Sequence, residues 1–79
     1  MVDVKVADDL WASSMLPEGL IERWFVPDGA NVTVGDPIVE VRIEDSLHEI
    51  QAPGTGRLAI SSPVSDIIEP GSVIGSITS

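Results

Sequence analysis

Residues 42–49 hold the densest group of side chains that could carry out chemistry. Glu44, Asp45, His48 and Glu49 fall within this segment, and carboxylates beside an imidazole can bind a metal ion or move protons. One histidine with carboxylates at these spacings is a poor match to known metal-ligand patterns. His48 also has no serine or cysteine partner nearby, so we expect an exposed side chain rather than a catalytic base. The segment therefore predicts no metal site and no catalytic residue.

The rest of the chain offers little other catalytic chemistry. It contains no glycine-rich phosphate loop, nucleophile elbow or zinc signature. Cysteine is absent, which excludes disulfides, thiolate nucleophiles and sulfur-ligated metals. We therefore expect a protein that is not an enzyme.

The charge balance points to a protein partner. Thirteen Asp and Glu against four Lys and Arg give a formal net charge of −9, which repels nucleic-acid phosphates and anionic lipid surfaces. We expect no nucleic acid or membrane partner but a protein with a basic patch. The candidate contacts are Glu44, Asp45 and His48, together with Trp11. Trp11 has two interpretations: it pins the loop after the first strand over the core, or it stands exposed as an interface anchor.

The location follows from what the sequence lacks. No stretch approaches the roughly 20 apolar residues of a transmembrane helix. Residues 1–6 lack the basic-then-apolar order of a signal peptide. A cytoplasmic location is the default expectation.

The positioning elements are short strands in one domain that covers residues 1–79. A chain of 79 residues with 43% apolar content can build one core and not two. Glycine, proline and aspartate punctuate β-branched runs that alternate at period two, which predicts an all-β domain. Residues 8–16 are expected to be a loop. The predicted strands are Val2 to Val6, Leu20 to Val26, Pro37 to Ile43, Leu47 to Gln51, Arg57 to Ile60 and Ser72 to Thr78, with brief pieces near Val32 and Ile67.

The two halves of the chain look like copies. A shift of 36 positions pairs Pro27 with Pro63 and Gly35 with Gly71, and it also superimposes several apolar residues. Two equivalent half-sheets can each bury one apolar face against the other. We therefore predict a flattened barrel or sandwich with a pseudo-twofold axis, in which Gly35 and Gly71 occupy tight turns.

Three segments, in order, resemble the biotinyl/lipoyl-attachment domains. Residues 20–41 resemble the family's strand and its glycine-aspartate turn signature, residues 49–56 resemble its Glu-Ile-x-Ala-Pro-x-x-Gly motif, and residues 68–74 resemble its final turn and strand. Trp24, expected to be a packing residue, places the chain nearer the lipoyl branch. The resemblance implies a barrel-sandwich hybrid of two four-stranded sheets, related to carrier domains of 2-oxo acid dehydrogenase complexes.

The sequence departs from this family where a lysine should stand. The family presents a lysine at the apex of a hairpin turn, where lipoate or biotin is attached. Here an alignment anchored on residues 49–50 places Asp45 at that position, and a one-residue shift places Ser46 there instead; Glu44 precedes both. Neither side chain can form the amide that the cofactor carboxyl makes with an ε-amine. We therefore expect no attached cofactor, since Lys5, the single lysine, lies in the predicted first strand.

Three interpretations of function remain open at this point. The first is a lipoyl-like, non-catalytic docking module related to 2-oxo acid dehydrogenase components. The second is a scaffold domain unrelated to acyl transfer, such as the hammerhead of assembly and efflux adaptors. The third is a carrier modified by an unexpected route, for instance at Lys5. The acidic residues 44–46 also have a plain structural interpretation, because Asp and Ser are common in turns.

Overall fold

The computed structural model describes residues 1–12 and 18–79, which form eight strands and one short 3-10 helix. All the predicted strands are present, with ends that differ by one to two residues. The 3-10 helix spans Asp8–Trp11. The strands are β1 (Val2–Lys5), β2 (Gly19–Trp24), β3 (Asn31–Val32), β4 (Pro37–Ile43), β5 (Ser46–Gln51), β6 (Gly56–Ile60), β7 (Ile67–Ile68) and β8 (Val73–Thr78).

The strands form two antiparallel four-stranded sheets. Sheet A has the order β1-β8-β6-β3, and sheet B has the order β5-β4-β2-β7. The domain measures 36 × 20 × 16 Å, which suits two sheets packed face to face at a separation of about 10 Å. The predicted flattened barrel-sandwich is therefore confirmed.

The register of the sheets confirms the internal repeat. Adding 36 to each residue of the pair Trp24↔Val39 in sheet B gives Ile60↔Gly75, which is a pair in sheet A. A bulge at Glu22 adds one residue to β2 that β6 lacks. For the β2 residues before the bulge, Leu20 and Ile21, the shift to the equivalent β6 residue is therefore one larger, so that Leu20 corresponds to Arg57 and Ile21 to Leu58. The two sheets therefore have the same strand order. Strands β1, β8, β6 and β3 of sheet A are equivalent, in that order, to β5, β4, β2 and β7 of sheet B.

The turns that precede β4 and β8 repeat the same hydrogen bonds with different side chains. In the first, Thr33 N donates to Asp36 Oδ2 at 2.9 Å; in the second, Glu69 N donates to Ser72 Oγ at 2.9 Å. Gly35 and Gly71 have φ of 93° and 84°, as their predicted place in tight turns requires. The fold thus demands a turn geometry that either an aspartate or a serine can support.

The core lies between the sheets and is built from inward-facing residues of the strands, with β5 contributing the partly buried Ile50. Val39, Val41 and Ile43 of β4 face inward, with at most 2% of their surface exposed, while Glu40 and Arg42 face outward, as the alternation predicts. Among the described residues no polar or charged side chain is fully buried. The largest side chains with almost no exposed surface are Ile21, Ile38, Ile43, Leu58, Ile68, Ile74 and Ile77.

The segment after β1 differs from the expected loop. Asp8–Trp11 forms a 3-10 helix, and only 8% of the Trp11 surface is exposed, because the indole packs into the core cluster. The buried indole agrees with the interpretation that Trp11 pins this segment over the core and not with a fully exposed side chain. Residues 13–16 of the predicted loop lie outside the described residues. In the described part of the chain, no helix is long and apolar enough to cross a membrane.

The repeat leads to a stability prediction at a pair of equivalent positions that hold different residues, Gly29 and Ser65. Gly29 has φ of 87°, and its equivalent Ser65 has φ of 75°, a region that costs a non-glycine residue roughly 1–2 kcal/mol. We expect Ser65→Gly to stabilise the domain by up to about 1 kcal/mol after the entropy of the more flexible unfolded chain is subtracted. Urea denaturation measures the change.

The matched control is the reverse substitution in the other half. Gly29→Ser should destabilise the domain by about 1 kcal/mol, because it introduces the same backbone strain. Equal stabilities for Gly29→Ser and the wild type would show that the two turns are not conformationally equivalent.

Candidate functional site

The expected hairpin is present at residues 42–48. Strands β4 and β5 pair up to Ile43↔Ser46, so the turn consists of two residues, Glu44 and Asp45. Of the two residues that the alternative alignments place at the lysine position, Asp45 stands in the turn, whereas Ser46 is already the first residue of β5. Both turn side chains are exposed to solvent.

The backbone of the turn is unusual at Glu44. This residue has φ of 56°, while Asp45 keeps a negative φ. A positive φ at the first central position is typical of type II′ hairpin turns, where glycine is strongly preferred. A glutamate there carries strain on the order of 1 kcal/mol. Aspartate tolerates a positive φ better than most non-glycine residues, yet in this turn the positive φ falls on Glu44.

The turn register separates His48 from the neighbouring carboxylates. His48 lies opposite Val41 and is half-buried on the inner side of sheet B, so the expected exposed side chain is wrong. Glu49, the next residue, faces outward opposite Glu40. No group of three or more His, Cys, Asp or Glu among residues 1–12 and 18–79 could hold a metal ion.

Two arginines on the outer face of sheet B are held by glutamates. Arg42 Nε lies 3.2 Å from Glu22 Oε1, and Arg23 Nε lies 3.0 Å from Glu40 Oε1. The second pair offsets the repulsion expected between Glu40 and the directly opposed Glu49. Carboxylates outnumber arginines on this face of sheet B and its hairpin, where Glu22, Glu40, Glu44, Asp45 and Glu49 stand against Arg23 and Arg42, so the hairpin end has an acidic surface.

Trp24 fixes sheet B at the opposite end of β2. Its half-buried indole donates a hydrogen bond from Nε1 to the carbonyl oxygen of Ser62 at 2.9 Å. The packing role predicted for Trp24 is therefore confirmed, and the bond ties the end of β2 to the segment between β6 and β7.

Two shallow hollows lie on the described part of the surface. One, of about 260 Å³, lies beside Arg57 and Thr78, and the other, of about 170 Å³, lies beside Arg42 and Glu44. Pockets for small molecules usually measure about 300–1,000 Å³, so both hollows are smaller than a typical small-molecule site.

Comparison with a solved structure agrees with the two-sheet fold. The structure superimposes on the solution structure of the lipoyl domain of the 2-oxoglutarate dehydrogenase complex from Azotobacter vinelandii with a TM-score of 0.78, covering 100% of this chain and 98% of the other at 21% sequence identity. At that identity the likeness establishes the fold.

The family follows from the sequence match. The family model described as "Biotin-requiring enzyme" (Biotin_lipoyl) matches residues 11–77, and the chain belongs to this biotin/lipoyl family. A relative, the dihydrolipoyllysine-residue acetyltransferase component of the acetoin cleaving system of Cupriavidus necator, is 38% identical over 48 residues. That match covers 61% of this chain but 13% of the relative's length. Lipoyl domains are carrier domains that are not themselves catalytic.

The strained turn generates a prediction for the hairpin. Glu44→Gly should stabilise the domain by up to about 1 kcal/mol, because glycine adopts the positive φ without steric cost. Asp45→Gly is the matched control, since it adds flexibility at a position with negative φ and should lower stability by a few tenths to about 1 kcal/mol. Thermal unfolding of both variants measures the difference. A lower melting temperature for Glu44→Gly than for Asp45→Gly would contradict the assigned turn.

Proposed function

We propose that this chain is a lipoyl-like domain without an attached cofactor, which acts as a non-catalytic docking module related to 2-oxo acid dehydrogenase components. The observation that carries the proposal is the two-residue turn Glu44-Asp45 at the position where the family presents its lysine. A cytoplasmic location belongs to the same proposal, in keeping with a chain that has no cysteine.

The side chains of the hairpin do not fit amide attachment. The turn carries two carboxylates, and the next residue, Ser46, carries a hydroxyl. Lipoate and biotin are joined through their own carboxyl group, so the protein must supply an amine nucleophile. Lys5 has the required amine, but it ends β1 at a register shift beside β8 and is not part of a two-residue hairpin.

The preserved hairpin supports docking as the remaining role. The turn keeps a defined shape and an exposed tip, and the acidic charge that surrounds it would attract a basic partner surface and raise the association rate. The names of the similar proteins, a lipoyl domain of a 2-oxoglutarate dehydrogenase complex and a dihydrolipoyllysine-residue acetyltransferase component of an acetoin-cleaving system, support dehydrogenase-type complexes as the setting.

A modification assay tests the absence of the cofactor. Intact mass is measured after incubation with lipoate or biotin ligase, ATP and the cofactor, and we expect no mass gain for the wild type. Asp45→Lys should gain one lipoyl group, because its amine would stand in the turn. Ser46→Lys, the matched control, should be modified far less, because it lies within the paired strand.

The outcomes of that assay are separable. A mass gain on the wild-type chain would overturn the proposal, and its loss in Lys5→Arg would identify the attached residue. If Asp45→Lys is folded but not modified, the assignment of the turn to the attachment position is wrong.

A binding titration tests docking itself. The remaining purified components of a 2-oxoglutarate dehydrogenase complex and of an acetoin-cleaving system serve as probes, titrated at low and at raised salt. We expect affinity to fall with salt, because screening shortens the reach of charges to about 10 Å at 0.1 M. The double variant Glu44→Gln, Asp45→Asn should bind about three- to tenfold more weakly at low salt.

The matched control for this titration removes charge elsewhere. Asp3→Asn neutralises an exposed carboxylate on β1 of sheet A and should leave the affinity nearly unchanged. Binding that ignores both salt and the tip variants would contradict an electrostatic docking tip.

A further inference from the structure

One row of outward-facing residues crosses all four strands of sheet B next to the hairpin. Leu47 of β5 lies opposite Arg42 of β4, Arg42 lies opposite Leu20 of β2, and Leu20 lies opposite Ile67 of β7. Leu47 is 49% exposed and Ile67 is 61% exposed. We call Leu47, Leu20 and Ile67 the aliphatic row. Leu20 is half-buried, and Arg42 lies between Leu47 and Leu20.

The internal repeat supplies a control for this row. The equivalents of Arg42, Leu20 and Ile67 in sheet A are Thr78, Arg57 and Asn31. Thr78 lies opposite Arg57, and Arg57 lies opposite Asn31. All three are exposed and polar. The same backbone geometry is therefore compatible with a polar row, so the fold itself does not demand aliphatic side chains at Leu20 and Ile67.

The surroundings of the aliphatic row define what it can bind. The shallow hollow of about 170 Å³ lies on the row and is lined by Glu18, Gly19, Leu20, Arg42, Glu44 and Ile67. Arg42, which lies between Leu47 and Leu20, is paired with Glu22, and Glu18 and Glu44 line the same hollow, so the charge around the row is predominantly negative. An apolar strip with an acidic rim is complementary to an apolar surface flanked by Lys or Arg.

We propose that the aliphatic row is the apolar centre of a docking surface for a protein with an aliphatic contact patch flanked by basic residues. This inference rests on the proposed docking function and identifies the surface that provides its affinity. The acidic tip steers the encounter, and burial of Leu47, Leu20 and Ile67 holds the complex, since apolar burial at the centre of an interface dominates binding energy. A second copy of this chain is disfavoured as the occupant, because each copy carries a net charge of −9.

The test compares threonine substitutions in the two sheets. Leu47→Thr and Ile67→Thr, singly and together, remove apolar surface while keeping a residue that favours strands. Val73→Thr on β8 of sheet A is the matched control, since Val73 is 47% exposed. Dissociation constants are measured against the dehydrogenase-complex and acetoin-cleaving components named above, and amide chemical shifts of the labelled domain locate the contact.

We expect the double variant Leu47→Thr, Ile67→Thr to bind at least about tenfold more weakly than the wild type at every salt concentration. The affinity of Val73→Thr should be unchanged, and the amide chemical-shift changes on binding should be centred on the aliphatic row. If the tip variants weaken binding and the row variants do not, the row is excluded and the docking function stands. If no component binds the wild type, both proposals are overturned. Equal losses in Val73→Thr, or sedimentation showing a dimer that Leu47→Thr dissolves, would overturn the row's assignment to a partner protein.

Discussion

The fold depends on the mutual burial of two apolar sheet faces, each of which contains strands from both halves of the chain. Sheet A takes β1 and β3 from the first half and β6 and β8 from the second, so neither half can complete a sheet alone. A chain of 79 residues has room for one core, and the inward residues of all eight strands contribute to it. Stability is therefore a property of the interleaved pair, and loss of a buried isoleucine in either sheet affects both halves.

In this arrangement of strands, the β4–β5 hairpin is the part of the fold whose pairing depends on residues close in sequence. Among the eight described strands, β4 and β5 are the one pair that is both consecutive in sequence and adjacent in a sheet. All other adjacent pairs are brought together by longer connections, whose geometry depends on the core. Because the two turn residues make no contribution to that core, Glu44 and Asp45 can replace other turn residues at a modest local cost in backbone strain. The chemistry of the tip is in this sense separable from the stability of the domain.

The elements that the sequence predicted are those set by short-range pattern. Alternation in β4 placed Val39, Val41 and Ile43 on the core face, and the 36-residue repeat anticipated equivalent sheets. What the sequence did not reveal depends on tertiary contacts: the burial of Trp11 requires the assembled core, and the bulge at Glu22 becomes visible only when β2 is aligned with β4. The half-buried position of His48 was within reach, because a two-residue turn at 44–45 fixes its partner as Val41.

Differences between equivalent positions separate what the fold needs from what it permits. Where the fold imposes a requirement, the two halves meet it by related means: Asp36 and Ser72 accept the same turn hydrogen bond, and Ser65 adopts the positive φ of Gly29 at a cost. The outward row of sheet B is a difference of another kind. Leu20 and Ile67 correspond to Arg57 and Asn31, so water-compatible side chains are replaced by aliphatic ones at positions with the same backbone geometry. Exposed aliphatic side chains bring little packing benefit to an isolated domain and lower its solubility, so the exposure of Leu47 and Ile67 is better accounted for by a surface that covers them than by any demand of the two sheets.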